Sequence, residues 1–179
     1  MSYSSQTSQQ SITNSLSIRA ASYREMPKIA SFIRSSSDWY ENFVSEKDMD
    51  EHNVGSEWIE KNYRRRSFYL GNNGKEDVGT ISFQRIGNFA YLGYIYLNVD
   101  HVGKGYGHEL MEFAKAEAKR QGLKGLVLIA HPEAKWAVKA YLKFGFKVIA
   151  RSKDEVLKWQ DGALVPYYEE GFHLYQLMI

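Results

Sequence analysis

The chain of 179 residues contains no cysteine. That removes disulfides, thiolate metal sites and thiol nucleophiles from its chemistry, and it fits a reducing, cytoplasmic setting. Net charge is nearly absent too. Lysine and arginine number 23 against 21 acidic residues, a balance of +2, so no bulk field draws the protein to nucleic acid. No apolar run approaches the length of a membrane-spanning helix, and the first fifteen residues have no apolar segment of the kind a secretory signal needs. The five histidines stand without ligand spacing, so no metal is expected. No internal repeat is visible. What remains is 44% apolar and 25% charged residues, the make-up of one globular domain with a full core.

Residues 1–15 are Ser/Gln-rich and uncharged and read as a disordered tail; 16–179 read as the domain. Leu16–Ala20 alternates like a strand. Ser22-Tyr-Arg-Glu25 is a capping-box pattern that opens a helix to about Ser36. Residues 37–66 are polar with interspersed aromatics, and a second helix is expected from about Ser56 to Arg65. Strands Ser67–Gly71 and Val78–Ile86 flank Asn73-Gly74, a strong hairpin dipeptide. Gly87-Asn88 then turns the chain into Phe89–Asn98, which completes an antiparallel meander. Gly125–Ala130 is a continuous apolar run and reads as a strand covered on both faces. The helix before it makes a right-handed crossover unit with the preceding strand. Glu133–Phe144 is the next helix, stopped at Gly145; Phe146–Ala150 and Phe172–Ile179 close the sheet. The long connection between those last strands is expected to be a protruding hairpin or ordered loop, with a turn at Asp161-Gly162.

The most informative stretch is 91–107. An aromatic, β-branched strand runs through a polar corner into Gly103-Lys104-Gly105-Tyr106-Gly107, and Leu110, Phe113, Ala114 and Ala118 follow at helical spacing. The first amides of a helix lack intrahelical partners and carry partial positive charge. Without side chains in the way they can close on a phosphate, and Lys104 adds a full charge. A plain strand-to-helix turn would leave the same pattern. A magnesium-nucleotide loop would not, because no Ser or Thr follows the lysine.

This stretch resembles the GNAT superfamily of acyl-CoA-dependent N-acyltransferases. Their Gln/Arg-x-x-Gly-x-Gly/Ala signature appears as Val102-Gly103-Lys104-Gly105-Tyr106-Gly107, with Val102 in place of the polar residue. A second family pattern, Asn-x-x-Ala-x-x-x-Tyr-x-x-x-Gly-Phe, runs from Ala134 to Phe146. Ala134 replaces the asparagine, while Ala137, Tyr141 and Gly145-Phe146 hold their places. The resemblance implies a single-domain α/β fold of mixed α+β character: a mostly antiparallel sheet of six to seven strands, helices on both faces, and fourth and fifth strands that splay apart.

The resemblance also implies a reaction, acetyl transfer from acetyl-CoA to a primary amine in a ternary complex. Backbone at Ile95, Tyr96 and Leu97 would pair with pantetheine, and 102–107 would hold the pyrophosphate. Ala134, Ala137 and Tyr141 would complete the cofactor side. Tyr141 is the general-acid candidate, since a phenol suits a thiolate leaving group; packing is its alternative role. No base stands out. The family's fourth-strand glutamate is Tyr91 here and its fifth-strand glutamate is Ile129. His131, Glu169 and Glu170 are weak candidates, the two glutamates also as groups that attract a cationic amine; each has a plain structural reading beside it. Region 37–66 covers the acceptor groove in the family, so Trp39, Tyr40, Phe43, Trp58 and Tyr63 are read as a groove wall or as ordinary packing. The implied partners are acetyl-CoA and an amine acceptor, with no nucleic acid, membrane or metal, and a homodimer is compatible with all of this. A non-catalytic acyl-CoA sensor on the same fold is the rival.

Overall fold

The computed structural model describes residues 15–45 and 54–179. The expected tail therefore lies, except for Ser15, outside the described residues. The elements in chain order are β1 (Ser17–Ala20), α1 (Met26–Ser35), α2 (Ser56–Arg65), β2 (Ser67–Asn72), β3 (Asp77–Ile86), β4 (Phe89–Leu97), α3 (Tyr106–Arg120), β5 (Gly125–Ala130), α4 (Lys135–Phe144), β6 (Lys147–Ala150), α5 (Lys153–Lys158) and β7 (His173–Met178). They form one seven-stranded sheet in the order β1-β2-β3-β4-β5-β7-β6. Every pair is antiparallel except β4 with β5.

Local chemistry accounts for most boundaries. The Ser22–Glu25 capping box forms, with the Ser22 amide donating to Glu25 Oε1 at 3.1 Å, and a single 3-10 turn leads into α1. Between β2 and β3 the Asn73 carboxamide oxygen accepts from the Lys75 and Glu76 amides, which fixes the hairpin. Helices α3 and α4 end alike. The Leu123 amide donates to Ala118 O and the Phe146 amide to Tyr141 O, each across a left-handed glycine, Gly122 or Gly145. These are Schellman terminations, in which the residue after the glycine packs back on the helix. In α4 that contact is Phe146 against Tyr141, ring centroids 6.2 Å apart. The spacing Tyr-x-x-x-Gly-Phe is thus a helix stop as well as a family pattern.

The sheet separates two main apolar layers. Helix α1 and Trp58 of α2 pack with Phe68 and Leu70 on one face. On the other, α3 and α4 cover Ile81, Phe83, Ala90, Leu92, Leu126 and Leu128. A third cluster, on the α1/α2 side, holds the connection after β6 against Tyr91, Val127 and Leu174. That connection is not a hairpin. Ser152 Oγ accepts from the Glu155 amide and starts the short helix α5, and a tight turn through Trp159–Gly162 follows.

Two irregularities of β4 create the site. Thr80 pairs with Tyr96 but Ser82 with Gly93, so β4 carries one extra residue there, a β-bulge. Tyr94 takes it up with a left-handed φ of +46°, a strained conformation of the kind that collects at functional sites. The bulge also puts Gly93 and Tyr94 on the same face, after which the alternation resumes with opposite parity. Second, the parallel ladder to β5 stops at Tyr91 with Val127. Past that pair β5 bonds only to β7, and a wedge opens between β4 and β5.

Candidate active site

Two clefts meet at this wedge. The larger, about 700 Å³, lies between the end of β4, the glycine turn, α3 and α4. Leu97, Val102, Gly103, Gly105 and Gly107 line it, with Trp39, Met111 and Trp136 as its apolar walls. The smaller, about 380 Å³, lies on the α2 side, between the end of α2, Tyr91–Tyr96, Leu128–His131 and Val165–Glu169. Tyr40, Ile95, Tyr96, Ala137 and Tyr141 line both. The structure thus brings nearly all of the expected residues together. Lys104 stands at the rim, exposed, with Nζ 3.3 Å from His101 Nδ1. Tyr106 is buried under the turn, and Ala134 lines the smaller cleft rather than the larger.

The glycine turn is shaped to present donors. Gly103 and Gly105 sit at φ +86° and +84°, and Gly105 caps α3. Among the described residues, the amides of Gly103, Lys104 and Gly105 have no acceptor. A Cβ at Gly103 or Gly105 would meet nothing within 4 Å. These glycines are required by backbone conformation and by the open face they leave, not by crowding.

Tyr141 sits at the junction, one turn before the end of α4. Its ring packs on Phe146 and Tyr175, both at 6.2 Å, while its hydroxyl has no hydrogen-bond partner among the described residues. Burial raises the phenol well above its ordinary value, and the neighbouring Tyr40 and Tyr175 add to the shift. Tyr40 is pushed up to about 12, first by burial and then by the Glu169 charge, against a hydrogen bond with Tyr96. Tyr91 and Tyr96 are raised as well, again chiefly by burial. The junction is a nest of protonated phenols.

The base candidates separate. Glu169 lines the smaller cleft, where its charge is felt by Tyr40, Tyr91 and Tyr96. Glu170 is exposed and lies 3.9 Å from Lys153, away from the cleft. His131 stacks on Phe43 at 4.7 Å, and its Nδ1 accepts from the Glu133 amide at 3.1 Å. That bond fixes the neutral tautomer with hydrogen on Nε2, and burial lowers the pKa further; such a ring has no lone pair to spare. The ring serves the turn before α4, whose N-cap position holds Ala134 with no side-chain cap.

The aromatics of 37–66 divide as well. Trp39 and Tyr40 line the clefts, Phe43 backs His131, Trp58 is core, and Tyr63 packs outside on Tyr23. The sequence reading missed Arg66. It follows α2 directly and its guanidinium lies inside the smaller cleft. Together with Lys61 and Arg65 it makes the described lining of that cleft more cationic than acidic, against the expectation that Glu169 and Glu170 attract a cationic amine there.

A profile of the acetyltransferase (GNAT) family matches residues 29–146. The chain belongs to this family. No curated protein matches it in sequence. Among solved structures it is similar to the PaiA N-acetyltransferase from Thermoplasma acidophilum in complex with coenzyme A. The TM-score is 0.71 at 20% identity, over 92% of this chain and 99% of that one. A GNAT-family acetyltransferase from Staphylococcus aureus follows at 0.69 and 19%, over 92% and 99%. The N-acetylglutamate synthase from Neisseria gonorrhoeae, complexed with coenzyme A and N-acetylglutamate, gives 0.66 at 17%. There the match spans 91% of this chain but 35% of the longer partner. At such identities the likeness is one of fold. Among the described residues no helix is long and apolar enough to cross a membrane, and no group of three or more His, Asp or Glu side chains could hold a metal ion.

Proposed function

We propose that the chain moves an acetyl group from acetyl-CoA to a primary amine, by direct attack with both reactants bound. One observation carries the reading: two clefts of different character meet at the β4–β5 wedge, and Tyr141 lines both. The larger fits coenzyme A. The unpaired amides of Gly103, Lys104 and Gly105 stand at the N-terminus of a fifteen-residue helix, a setting that favours a pyrophosphate. The unladdered edge of β4 at Ile95, Tyr96 and Leu97 offers backbone groups to a pantetheine amide. Val102, exposed at the mouth, contributes apolar contact where the family places a polar side chain.

Acetyl-CoA supplies the thioester carbonyl that the amine attacks. The amine attacks in its neutral form, and the C–S bond breaks as the C–N bond forms. The proton shed by nitrogen passes to solvent, and the coenzyme A thiolate is protonated from solvent. Tyr141 keeps its proton throughout the neutral range and donates a hydrogen bond to the departing sulfur. Its raised pKa makes it a stubborn acid, better at stabilising the thiolate than at surrendering the proton outright. Glu169 is the acceptor-side carboxylate, and His131 is assigned to the turn before α4. With no cysteine in the sequence, a thioester relay on the protein has no side chain to use. We place the reaction in the cytoplasm, and no metal takes part in it.

The test is release of free coenzyme A thiol from acetyl-CoA. Four acceptor classes are offered: protein N-termini, lysine side chains, polyamines and small-molecule amines. Steady turnover with any of them supports an enzyme. Tight acetyl-CoA binding with no release from the whole panel would make the protein a sensor instead.

A further inference from the structure

Arg66, inside the acceptor cleft, has no ion-pair partner among the described residues. Arg66 is held by ring faces, its Cζ 4.7 Å from the centroid of Tyr94, 4.9 Å from Tyr167 and 5.6 Å from Tyr91. Rings of this kind attract a guanidinium through their quadrupole and leave its N–H edge unspent. No hydrogen bond or ion pair reaches that guanidinium from any described residue. Its Nε is buried and unsatisfied, as are Ser82 Oγ and Gln84 Oε1 beneath it. Ser82 and Gln84 face Gly93 and Tyr91 across the β3–β4 ladder, so the three orphan groups share one floor. Buried polar groups without partners are rare, and a cluster of them beside a cleft is the mark of a site rather than of core packing.

The strand is cut to admit this arginine. A Cβ at Gly93 would stand 2.6 Å from Arg66 Nη1 and 3.2 Å from Ser82 Oγ. Glycine at 93 is thus what lets the guanidinium lie across β4 beside the bulge. Lys61 and Arg65, on the same end of α2, put further positive charge around it.

We infer that the acceptor is a small primary amine bearing a carboxylate, and that Arg66 receives the carboxylate at the floor of the acceptor cleft. This rests on the acetyl-transfer reading and names the substrate class for the same site. A planar guanidinium edge suits a planar carboxylate in a bidentate pair. Arg66 crosses β4 at Gly93, and Gly93 and Tyr96 are three residues apart, so roughly 10 Å of strand separates that crossing from the wedge. One amino-acid-sized molecule spans that gap with its carboxylate on Arg66 and its amine at the wedge. The 380 Å³ of the cleft is on that scale as well. Among the described lining residues three cations, Lys61, Arg65 and Arg66, stand against the single carboxylate Glu169, a balance that disfavours a polyamine.

Pairs of amines that differ only in the carboxylate test this on the full chain: phenylalanine with phenethylamine, and ornithine with putrescine. Thiol release should favour the carboxylate member, by roughly 10–100-fold in kcat/KM, as expected for a charge-assisted pair. Arg66→Met should bring that ratio towards one with the acetyl-CoA Kd unchanged, and Arg66→Lys should retain part of it. Gly93→Ala, which displaces the guanidinium while leaving Arg66 in place, should reduce the ratio as Arg66→Met does. Melting curves verify that each variant is folded. Equal or better turnover of the decarboxylated amines overturns the carboxylate contact and leaves acetyl transfer standing. A loss in Arg66→Met that is equal for both members of a pair makes Arg66 structural and also overturns it. If no amine supports thiol release, acetyl transfer itself fails. Calorimetry of phenylalanine and ornithine on the coenzyme A-loaded protein then decides the contact: binding that Arg66→Met abolishes upholds it, and absent or unaltered binding refutes it.

Discussion

Tyr141→Phe separates chemistry from packing better than other single changes at this site. The substitution keeps the ring, and with it the contacts to Phe146 and Tyr175 at 6.2 Å that close the Schellman end of α4. The hydroxyl gives up no hydrogen bond within the described protein, so stability should change by no more than about 0.5 kcal/mol, the scale of substitutions that break no such feature. If the hydroxyl serves the departing thiolate, its loss should cost about 10²–10⁴-fold in rate. The two effects differ by several kcal/mol at the transition state and are measured independently. Turnover by thiol release should fall while the melting temperature and acetyl-CoA Kd stay near wild type. Burial raises the Tyr141 phenol, so the wild-type alkaline limb should lie above the ordinary phenol value of about 10. Activity is retained below that limb and lost above it, and the limb should vanish in the variant. A variant that keeps more than half of the wild-type turnover, with chemistry rate-limiting, would reduce Tyr141 to a packing residue.

Gly105→Val forces a β-branched residue to φ +84°. A local cost of roughly 1–2 kcal/mol and at least a tenfold rise in acetyl-CoA Kd, about 1.4 kcal/mol, are expected by calorimetry; an unchanged Kd would remove the turn from the binding site. Glu169→Gln takes away a charge that holds Tyr40, Tyr91 and Tyr96 in the neutral form. Phenolate absorbance should therefore appear at lower pH, with Tyr40 moving down from about 12, and an unmoved titration curve would take Glu169 out of the cleft. Asp77 is paired with Arg19 at 2.9 Å and Lys28 at 2.7 Å, which holds its carboxyl well below the usual range. Its contribution is in place above the ordinary carboxylate value of about 4 and fades as pH falls. Both cations are partly exposed, so Asp77→Asn should cost roughly 1–2 kcal/mol at pH 7 and less near pH 2. An equal loss at both pH values in denaturant melts would argue for a steric cause.

The parts of this architecture that depend on neighbours in sequence could be read from it. Asn73-Gly74, the Ser22–Glu25 box, Gly122 and Gly145 each fix backbone over a few residues, and the elements between them fell close to their expected limits. The α5 helix carries the same kind of signal, Ser152 followed by Glu155, but six residues make a weak pattern. The bulge needed information from another strand. Gly93 inside β4 is its trace, but only the count against Thr80 and Ser82 shows the extra residue. Arg66 escaped for a related reason. It ends a run of three arginines that reads as a solvated helix end, and only the path of β4 past a glycine turns one of them inward. Glu169 and Glu170 are adjacent and chemically identical, and backbone direction alone sends one to the cleft and the other to Lys153.

Apart from a short common wall, the two clefts draw on different stretches of chain. The larger is built from residues 97–111 and α4, the smaller from the end of α2, the exit of β5 and residues 165–172. On the donor and acceptor assignment proposed above, drift in the second set would alter what is accepted without disturbing what is donated. A lineage carrying this domain would then change its acceptor by single substitutions, with cofactor binding retained at each step. Position 66 would be the pivot, since a neutral residue there removes the proposed carboxylate contact and leaves residues 97–111 untouched.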